Sequence, residues 1–289
     1  MSSQKSRTRA WYVLAPALSA LLAGCLTQGA ADEQDASPTA SRTTAPARTP
    51  SPKATTDAKK PQIDKKPLTG MVIVLDPGHN PNNRLHSAEI NRKVDIGTTT
   101  KECDTTGTAT NDGYPEAAFT LDVARRARTL LRAQGATVKL TQDGERAWGP
   151  CIDERAAIGN KAHADAVVSI HADGAGAGQR GFHVILPKAV DAGAADTRAI
   201  VAPSRELGLA VRKAFAKRTG SALSNYTGDG SGFTVRGDLG GLNLSTVPKV
   251  FIECGNMRDG RDAAQLSDRD WRQRAAHGIV DGITAYLAG

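Results

Sequence analysis

The hydrophobic pattern of the chain changes near residue 68. Residues 26–67 are rich in Ala, Thr, Pro, Ser and Lys and contain few large apolar residues, so they predict a disordered linker. From 68 to 289, short apolar runs alternate with apolar stripes at helical spacing. The runs predict strands at 71–76, 137–141, 166–170, 181–186 and 249–253. The stripes predict helices at 115–135, 152–164, 204–217 and around 271–283.

Strands that alternate with helices are typical of an α/β fold. The pattern predicts a single domain over 68–289 with a mainly parallel sheet, flanked by helices on both faces. Two longer segments interrupt the alternation. Residues 80–115 are polar and predict a loop with a short hairpin, whereas residues 225–244 are glycine-rich and predict an irregular surface loop near a site.

Chemically active residues stand at the ends of three predicted strands, each within three residues of a glycine. His79 follows Asp-Pro-Gly after the first strand, His171 follows the strand at 166–170, and Glu253 ends the strand at 249–253. Because open α/β sheets bind ligands beyond the carboxyl ends of their strands, we expect these three side chains to share one site. His183, inside the strand predicted at 181–186, is interpreted as structural.

The residues His79, Glu116 and His171 are the ligand types of a catalytic zinc site. Two imidazoles and one carboxylate fill three tetrahedral positions and leave the fourth for water or substrate. Glu253 then stands where a carboxylate that moves protons is needed. The spacing leaves alternatives open, since Glu116 alone is more typical of a solvated acidic residue in the first turn of a helix.

Charge adds little to this picture. The formal charge of the chain is +7, and residues 1–25 hold three basic and no acidic residues, so the remainder carries +4. This modest balance suits an anionic surface. Scattered basic residues and only 4% aromatic residues argue against nucleic-acid binding.

The first 25 residues have the layout of a secretory signal. Three basic residues precede an apolar run at 10–23 that is too short to remain as a membrane-spanning helix. The run ends in Leu-Ala-Gly-Cys, which resembles a bacterial lipobox and implies lipidation of Cys25. An ordinary cleaved signal is the alternative. In an exported protein, a Cys103–Cys151 disulfide is a further hypothesis, and Cys254 is interpreted as a buried small apolar residue.

Five sequence blocks, in this order, resemble the zinc-dependent N-acetylmuramoyl-L-alanine amidases of the amidase_3 family, and actinobacterial members in particular. They are IVLDPGH at 73–79, Glu116 at a helix start, ERAAIGNKA at 154–162, ADAVVSIHAD at 164–173 and VPKVFIECGNM at 247–257. The resemblance implies roughly six strands flanked by helices. It also implies His79, Glu116 and His171 as zinc ligands and Glu253 as the catalytic carboxylate.

The resemblance further implies a monomeric, exported peptidoglycan hydrolase that cleaves the amide between N-acetylmuramic acid and L-alanine. Two alternatives remain, a non-catalytic wall-binding lipoprotein and a zinc peptidase or deacetylase acting on the same polymer. The chain departs from the family in two places. The gap before Glu116 is long, which makes Glu102 and Asp112 competing ligands, and Gly255 is followed by Asn256 where the family commonly has Phe.

Overall fold

A six-stranded sheet forms the centre of the computed structural model, which describes residues 66–289. The strands are β1 Val72–Pro77, β2 Lys93–Asp95, β3 Thr100–Glu102, β4 Thr137–Leu140, β5 Ala166–Asp173, β6 His183–Pro187, β7 Asp191–Ala192, β8 Ala195–Asp196, β9 Phe233–Arg236 and β10 Lys249–Asn256. The helices are α1 Ser87–Ile90, α2 Glu116–Ala133, α3 Ile152–Lys161, α4 Val201–Thr219, α5 Gly240–Asn243, α6 Gly260–Ser267 and α7 Arg269–Ala288.

The strand order in the central sheet is β4-β1-β5-β10-β6-β9. Strands β4, β1, β5 and β10 run parallel to one another, while β6 pairs antiparallel with β10 and β9 pairs parallel with β6. Helices cover both faces. The expectation of a single α/β domain with a mainly parallel sheet of about six strands is therefore confirmed.

The two faces of this sheet differ in chemistry. Side chains alternate between faces along a strand, so Val168 and Ile170 of β5 point into the main apolar core under α2, α4 and α7. Ser169 and His171 point to the opposite face. In the register of the sheet, Ser169 lies between Asp76 and Phe251. The polar positions of β1, β5 and β10 consequently share one face.

Buried charges occupy this polar face below the carboxyl ends of the strands. The Asp76 carboxylate accepts hydrogen bonds from Arg155 Nη1 at 2.8 Å and from Lys249 Nζ at 3.0 Å. All three side chains are at most 5% exposed. Ser169 and Thr141 donate further hydrogen bonds to the same carboxylate. Asp76 therefore holds α3, β5 and β10 against β1.

The predicted polar insert is a compact lobe beside the sheet. It contains the short helix α1 and the β2–β3 hairpin, whose turn at Gly97 packs against Ala195 of the β7–β8 hairpin. The Cys103–Cys151 disulfide ties the lobe to the start of α3, and Cys254 is a buried free thiol. The hairpin, the disulfide and the burial of Cys254 are confirmed.

Some element predictions are wrong in detail. The glycine-rich segment 225–244 contains β9 and α5, and the helix α6 precedes the predicted closing helix. His183 begins β6 instead of lying inside it. The predicted signal with Cys25 and most of the predicted linker lie outside the described residues. Among the described residues, no helix is both long and apolar enough to cross a membrane.

Replacing Asp76 tests the role of the buried charges. Asp76→Asn leaves the Lys249 cation buried without a compensating charge and removes one of the two carboxylates paired with Arg155, which lowers the free energy of unfolding by about 3–5 kcal/mol. Denaturant titration measures this loss. Asp196→Asn, which breaks an exposed ion pair with Arg198, is the matched control and should leave stability nearly unchanged.

The Asp76→Asn variant should also change how the free energy of unfolding depends on pH in the acid range. Burial raises the pKa of Asp76, but Lys249 and Arg155 outweigh burial and hold this pKa well below its ordinary value. A depressed pKa stabilises the fold fully above the unfolded pKa of about 3.9, and that stabilisation is lost as the pH falls. Wild type should lose stability more steeply than Asp76→Asn between about pH 5 and pH 3. Equal slopes would contradict this.

Candidate active site

His79 stands directly after β1 in a strained backbone conformation. Its φ of 62° lies in the left-handed region, which is uncommon for residues other than glycine. Its carbonyl oxygen accepts hydrogen bonds from Arg155 Nη2 and Gln142 Nε2, both at 3.0 Å. These two donors hold the strained turn in place. The conformation turns the imidazole toward the ends of the neighbouring strands.

His171 occupies the corresponding place on the next strand. Its ring stacks on Phe251 of β10, with centroids 5.1 Å apart, and meets the ring of His79 edge-on at the same distance. Gly78 makes this approach possible, because a Cβ at that position would lie 2.2 Å from His171 Cε1. The Asp-Pro-Gly turn is thus required for packing as well as for the direction of the chain.

Glu116 begins α2 and points inward, with an exposure of 4%. Its Oε1 lies 3.2 Å from His79 Nε2 and 3.0 Å from His171 Nδ1. Its Oε2 accepts a hydrogen bond from the backbone N–H of Thr108 at 2.9 Å. The structure therefore brings together the three predicted ligands, with one donor atom of each within 4.8 Å of the others.

These spacings fit a tetrahedral metal ion. With metal–ligand bonds of about 2.0–2.1 Å, the edge of a tetrahedron is about 3.3 Å. The two shortest spacings between the carboxylate and the imidazoles are 3.0 and 3.2 Å. Two histidines and one carboxylate also leave a fourth position for a small ligand. The donor set and its spacing thus fit zinc.

Charge in the site is concentrated on these groups. Burial disfavours the charged form of His79, but Glu116 and Asp104 outweigh burial and raise its pKa to about 10. Burial likewise opposes ionisation of Glu116, yet the two histidines hold its pKa well below the ordinary range. A divalent cation would take over the role that the His79 proton plays in compensating this carboxylate.

Sequence reasoning missed the residues that orient His79. His79 Nδ1 lies 3.1 Å from the carbonyl oxygen of Thr105 and 3.4 Å from Asp104 Oδ1. Asp104 in turn accepts a hydrogen bond from Arg155 Nη2 at 2.9 Å. A partner on one ring nitrogen leaves the other free to bind a metal. In the sequence, the position of Asp104 directly after Cys103 is the one signal that could have indicated its role beside His79.

Glu253 lies beside the three ligand candidates. In the sheet register it is directly opposite His171 of β5 and His183 of β6, so the three side chains share a face. Burial, followed by the charges of Glu116 and Asp173, raises the pKa of Glu253 well above its ordinary value. Its Oε2 is shielded and has no hydrogen-bond partner among the described residues. The rest of the side chain is partly exposed and lines a cavity beside the ligand candidates.

The competing carboxylates lie elsewhere. Glu102 forms an ion pair with Lys93 across the β2–β3 hairpin, and Asp112 is exposed in the turn before α2. His183 is buried with its ring edge toward Tyr226. None of the three belongs to the ligand cluster found in residues 66–289.

Two cavities meet at the ligand cluster. One, of about 230 Å³, contains Glu253, and the other, of about 280 Å³, extends toward Lys101 of the β2–β3 hairpin. His79, His171, Leu239 and Phe251 line both cavities. A substrate can therefore extend to either side of the cluster. Fold and geometry together define an α/β protein with a two-histidine, one-carboxylate cluster that could hold a metal ion beside two cavities.

Comparison with known proteins identifies the family. The model of the family described as N-acetylmuramoyl-L-alanine amidase matches residues 73–285. The chain belongs to this family, so the resemblance found in the sequence is confirmed.

Two actinobacterial relatives are similar over most of their length. The N-acetylmuramoyl-L-alanine amidase Rv3717 of Mycobacterium tuberculosis is 40% identical over 226 residues, which are 76% of this chain and 88% of that protein. The crystal structure of the amidase Ami1 from Mycobacterium smegmatis has a TM-score of 0.69 and 41% identity, covering 76% of this chain and 98% of that one. A more distant relative, the probable cell wall amidase LytH of Staphylococcus epidermidis, is 26% identical and matched over 62% of its length.

Metal analysis of single variants tests the ligand set against its competitor. Glu116→Gln and His171→Ala each remove a ligand, so zinc affinity should fall by more than the 10–100-fold typical of losing a residue that supports a ligand. Glu102→Gln is the matched control and should bind zinc as wild type does. Competition with a chromophoric chelator measures the affinities. Full zinc affinity in Glu116→Gln would exclude it as a ligand.

Proposed function

We propose that the chain is a zinc-dependent peptidoglycan amidase that cleaves the amide between N-acetylmuramic acid and L-alanine. The observation that carries the proposal is the convergence of His79, Glu116 and His171, with Glu253 lining the same cavity. Membership of the amidase family supports the substrate class. A wall-binding protein without catalysis has no need for all four side chains.

His79, Glu116 and His171 would hold the metal ion. Zinc at a site with an open position supplies Lewis-acid chemistry, polarising a carbonyl and lowering the pKa of water to about 7. The protein contributes the orientation of its ligands. Asp104 and the carbonyl of Thr105 fix the ring of His79, Phe251 supports the ring of His171, and the backbone of Thr108 holds Glu116.

Glu253 is the residue that moves protons in this proposal. Its carboxylate accepts a proton from the attacking water and then delivers it to the nitrogen of L-alanine as the amide breaks. Burial and the neighbouring carboxylates raise the pKa of Glu253, which makes its ionised carboxylate a stronger base for the first transfer. Glu253 lines the cavity of the ligand cluster, which supports its contact with both the water and the alanine nitrogen.

Product analysis tests the reaction. Purified muropeptides are incubated with the protein, with and without a chelator, and the products are identified by mass spectrometry. The proposal expects a new amino terminus on L-alanine and an intact lactyl carboxylate on the sugar, both abolished by the chelator. Cleavage within the stem peptide would indicate a peptidase, and loss of acetate would indicate a deacetylase.

Glu253→Gln separates metal binding from turnover. The amide cannot accept the proton, so kcat should fall about 10²–10⁴-fold, whereas zinc stoichiometry stays at the wild-type level. Glu206→Gln, on the exposed surface of α4, is the control and should have wild-type activity. Metal analysis and turnover are measured on the same preparations. Near-normal turnover in Glu253→Gln would reject the role.

The proposal includes export and membrane attachment through Cys25. A lipidated Cys25 would place the domain on the outer face of the cytoplasmic membrane, with 26–67 as a spacer. Cys25→Ala in the full chain should move the protein from the membrane fraction to the soluble fraction. Cys254→Ala, which alters a buried thiol in the folded domain, is the control. Wild-type protein without membrane association would exclude the anchor.

A further inference from the structure

Arg236 lies at the rim of the candidate active site and has no role in the reaction described above. It ends β9, opposite Pro187 of β6, which places it on the same face of the sheet as Glu253. It lines the 230 Å³ cavity that contains Glu253 and the ligand cluster. No other Lys or Arg lines that cavity, and the Arg236 side chain is 39% exposed. The cation is therefore accessible to a substrate.

Asp238 holds the guanidinium in one orientation. Arg236 Nε donates to Asp238 Oδ1 at 2.8 Å and Nη2 donates to Oδ2 at 2.6 Å. Lys101 of the β2–β3 hairpin donates to the same carboxylate at 3.3 Å. Nη1 of Arg236 makes no hydrogen bond to any residue of 66–289. A fixed guanidinium with free N–H groups suits a carboxylate ligand, because little side-chain freedom is lost on binding.

The local charges also favour an anion. Two cations, Arg236 and Lys101, share the single Asp238 carboxylate, so this group of three carries one net positive charge. Hydrogen bonds from Arg236, together with the charges of Arg236 and Lys101, outweigh burial and lower the pKa of Asp238 to about 2, so this carboxylate stays ionised near neutral pH.

Asp173, on the same cavity, forms no ion pair with Arg236 within residues 66–289, although its charge and that of Glu253 contribute to the raised pKa of Arg236. Its Oδ2 accepts a hydrogen bond from the hydroxyl of Tyr226 at 2.9 Å, and its Oδ1 accepts one from the backbone N–H of Gly174 at 2.8 Å. The Asp173 carboxylate is thus engaged by its own partners. Within residues 66–289, the Nη1 group of Arg236 therefore remains free to donate a hydrogen bond to a ligand in the cavity.

We propose that Arg236 binds a carboxylate on the stem-peptide residue that follows L-alanine. This inference rests on the proposed function, because it assumes that the muramoyl–alanine amide lies at the ligand cluster. The peptide then occupies the cavity shared by Arg236 and Glu253, and the sugar occupies the cavity toward Lys101. Arg236 is a specificity residue that distinguishes a free carboxylate from its amide.

Two muropeptides that differ only at this group test the proposal. One carries a free carboxylate on the residue after L-alanine, and the other carries a carboxamide. Wild type should cleave the acid with a kcat/KM about 10- to 100-fold higher, as expected for one charge-assisted hydrogen-bonded pair. Arg236→Gln should bring the ratio close to one, mainly by lowering kcat/KM for the acid.

Two further variants complete the set. Arg236→Lys keeps the charge and loses the planar fork, so it should retain an intermediate preference. Arg269→Gln, on the exposed start of α7, is the control and should keep the wild-type ratio. Zinc content should be the same in all of them. A wild-type enzyme that cleaves both muropeptides equally well, or a ratio unchanged in Arg236→Gln, overturns the proposal.

The outcomes separate this proposal from the others. If Arg236 acts on Glu253 instead, Arg236→Gln shifts the pH profile for both muropeptides and leaves their ratio unchanged. If wild type breaks neither muramoyl–alanine bond, the proposed function fails. Recognition is then still measured by calorimetry, because Glu253→Gln should bind the acid more tightly than the amide, and equal affinities would overturn the role of Arg236.

Discussion

The site depends on one buried ion network, centred on the Asp76 carboxylate. Charges in a protein interior are stable only when paired, and removing one partner leaves the remaining charge uncompensated. Asp76 receives Lys249 from β10 and Arg155 from α3, and Arg155 continues to the carbonyl of His79 and to Asp104. The network therefore joins two strands, one helix and the insert below the ligand cluster. It holds the strained turn at His79, so the geometry of the metal site follows from electrostatics in the fold.

The two-residue period of the strands explains why this network and the site share a face. Apolar residues of β5 and β10 point to the core under α2, α4 and α7, so the intervening positions must face α3 and the insert. Lys249, Phe251 and Glu253 are successive positions of this second kind on β10. Lys249 belongs to the ion network and Phe251 supports the ring of His171. Glu253 carries the proposed proton transfer. One strand thus combines a structural charge, an aromatic support and a reactive carboxylate.

Five of the six strands of the central sheet, their mainly parallel direction and three candidate site residues could be predicted because strong local signals carry them. His79, His171 and Glu253 each stand where a buried apolar run stops. Glu116 could not be assigned from spacing, since a carboxylate at a helix start is usually solvated. Arg155 sits on a helix whose periodicity does not show a buried cation. The strand β9 was missed because its glycine-rich surroundings resemble a loop, and pairing with β6 alone makes it a strand. Such contacts join residues far apart in the chain, so no local pattern encodes them.

The long insert before Glu116 first looks like a departure that weakens the ligand assignment. In the fold it does the opposite. The disulfide at Cys103 fixes the start of the segment that follows. In this segment, the Thr105 carbonyl and the Asp104 carboxylate contact the ring of His79. The backbone N–H of Thr108 donates a hydrogen bond to Glu116. At Gly107, with φ of 74°, a Cβ would lie 2.8 Å from both Glu116 Oε2 and His79 Cδ2. The insert thus contacts both His79 and Glu116, and its length allows it to hold these two candidate ligands close together.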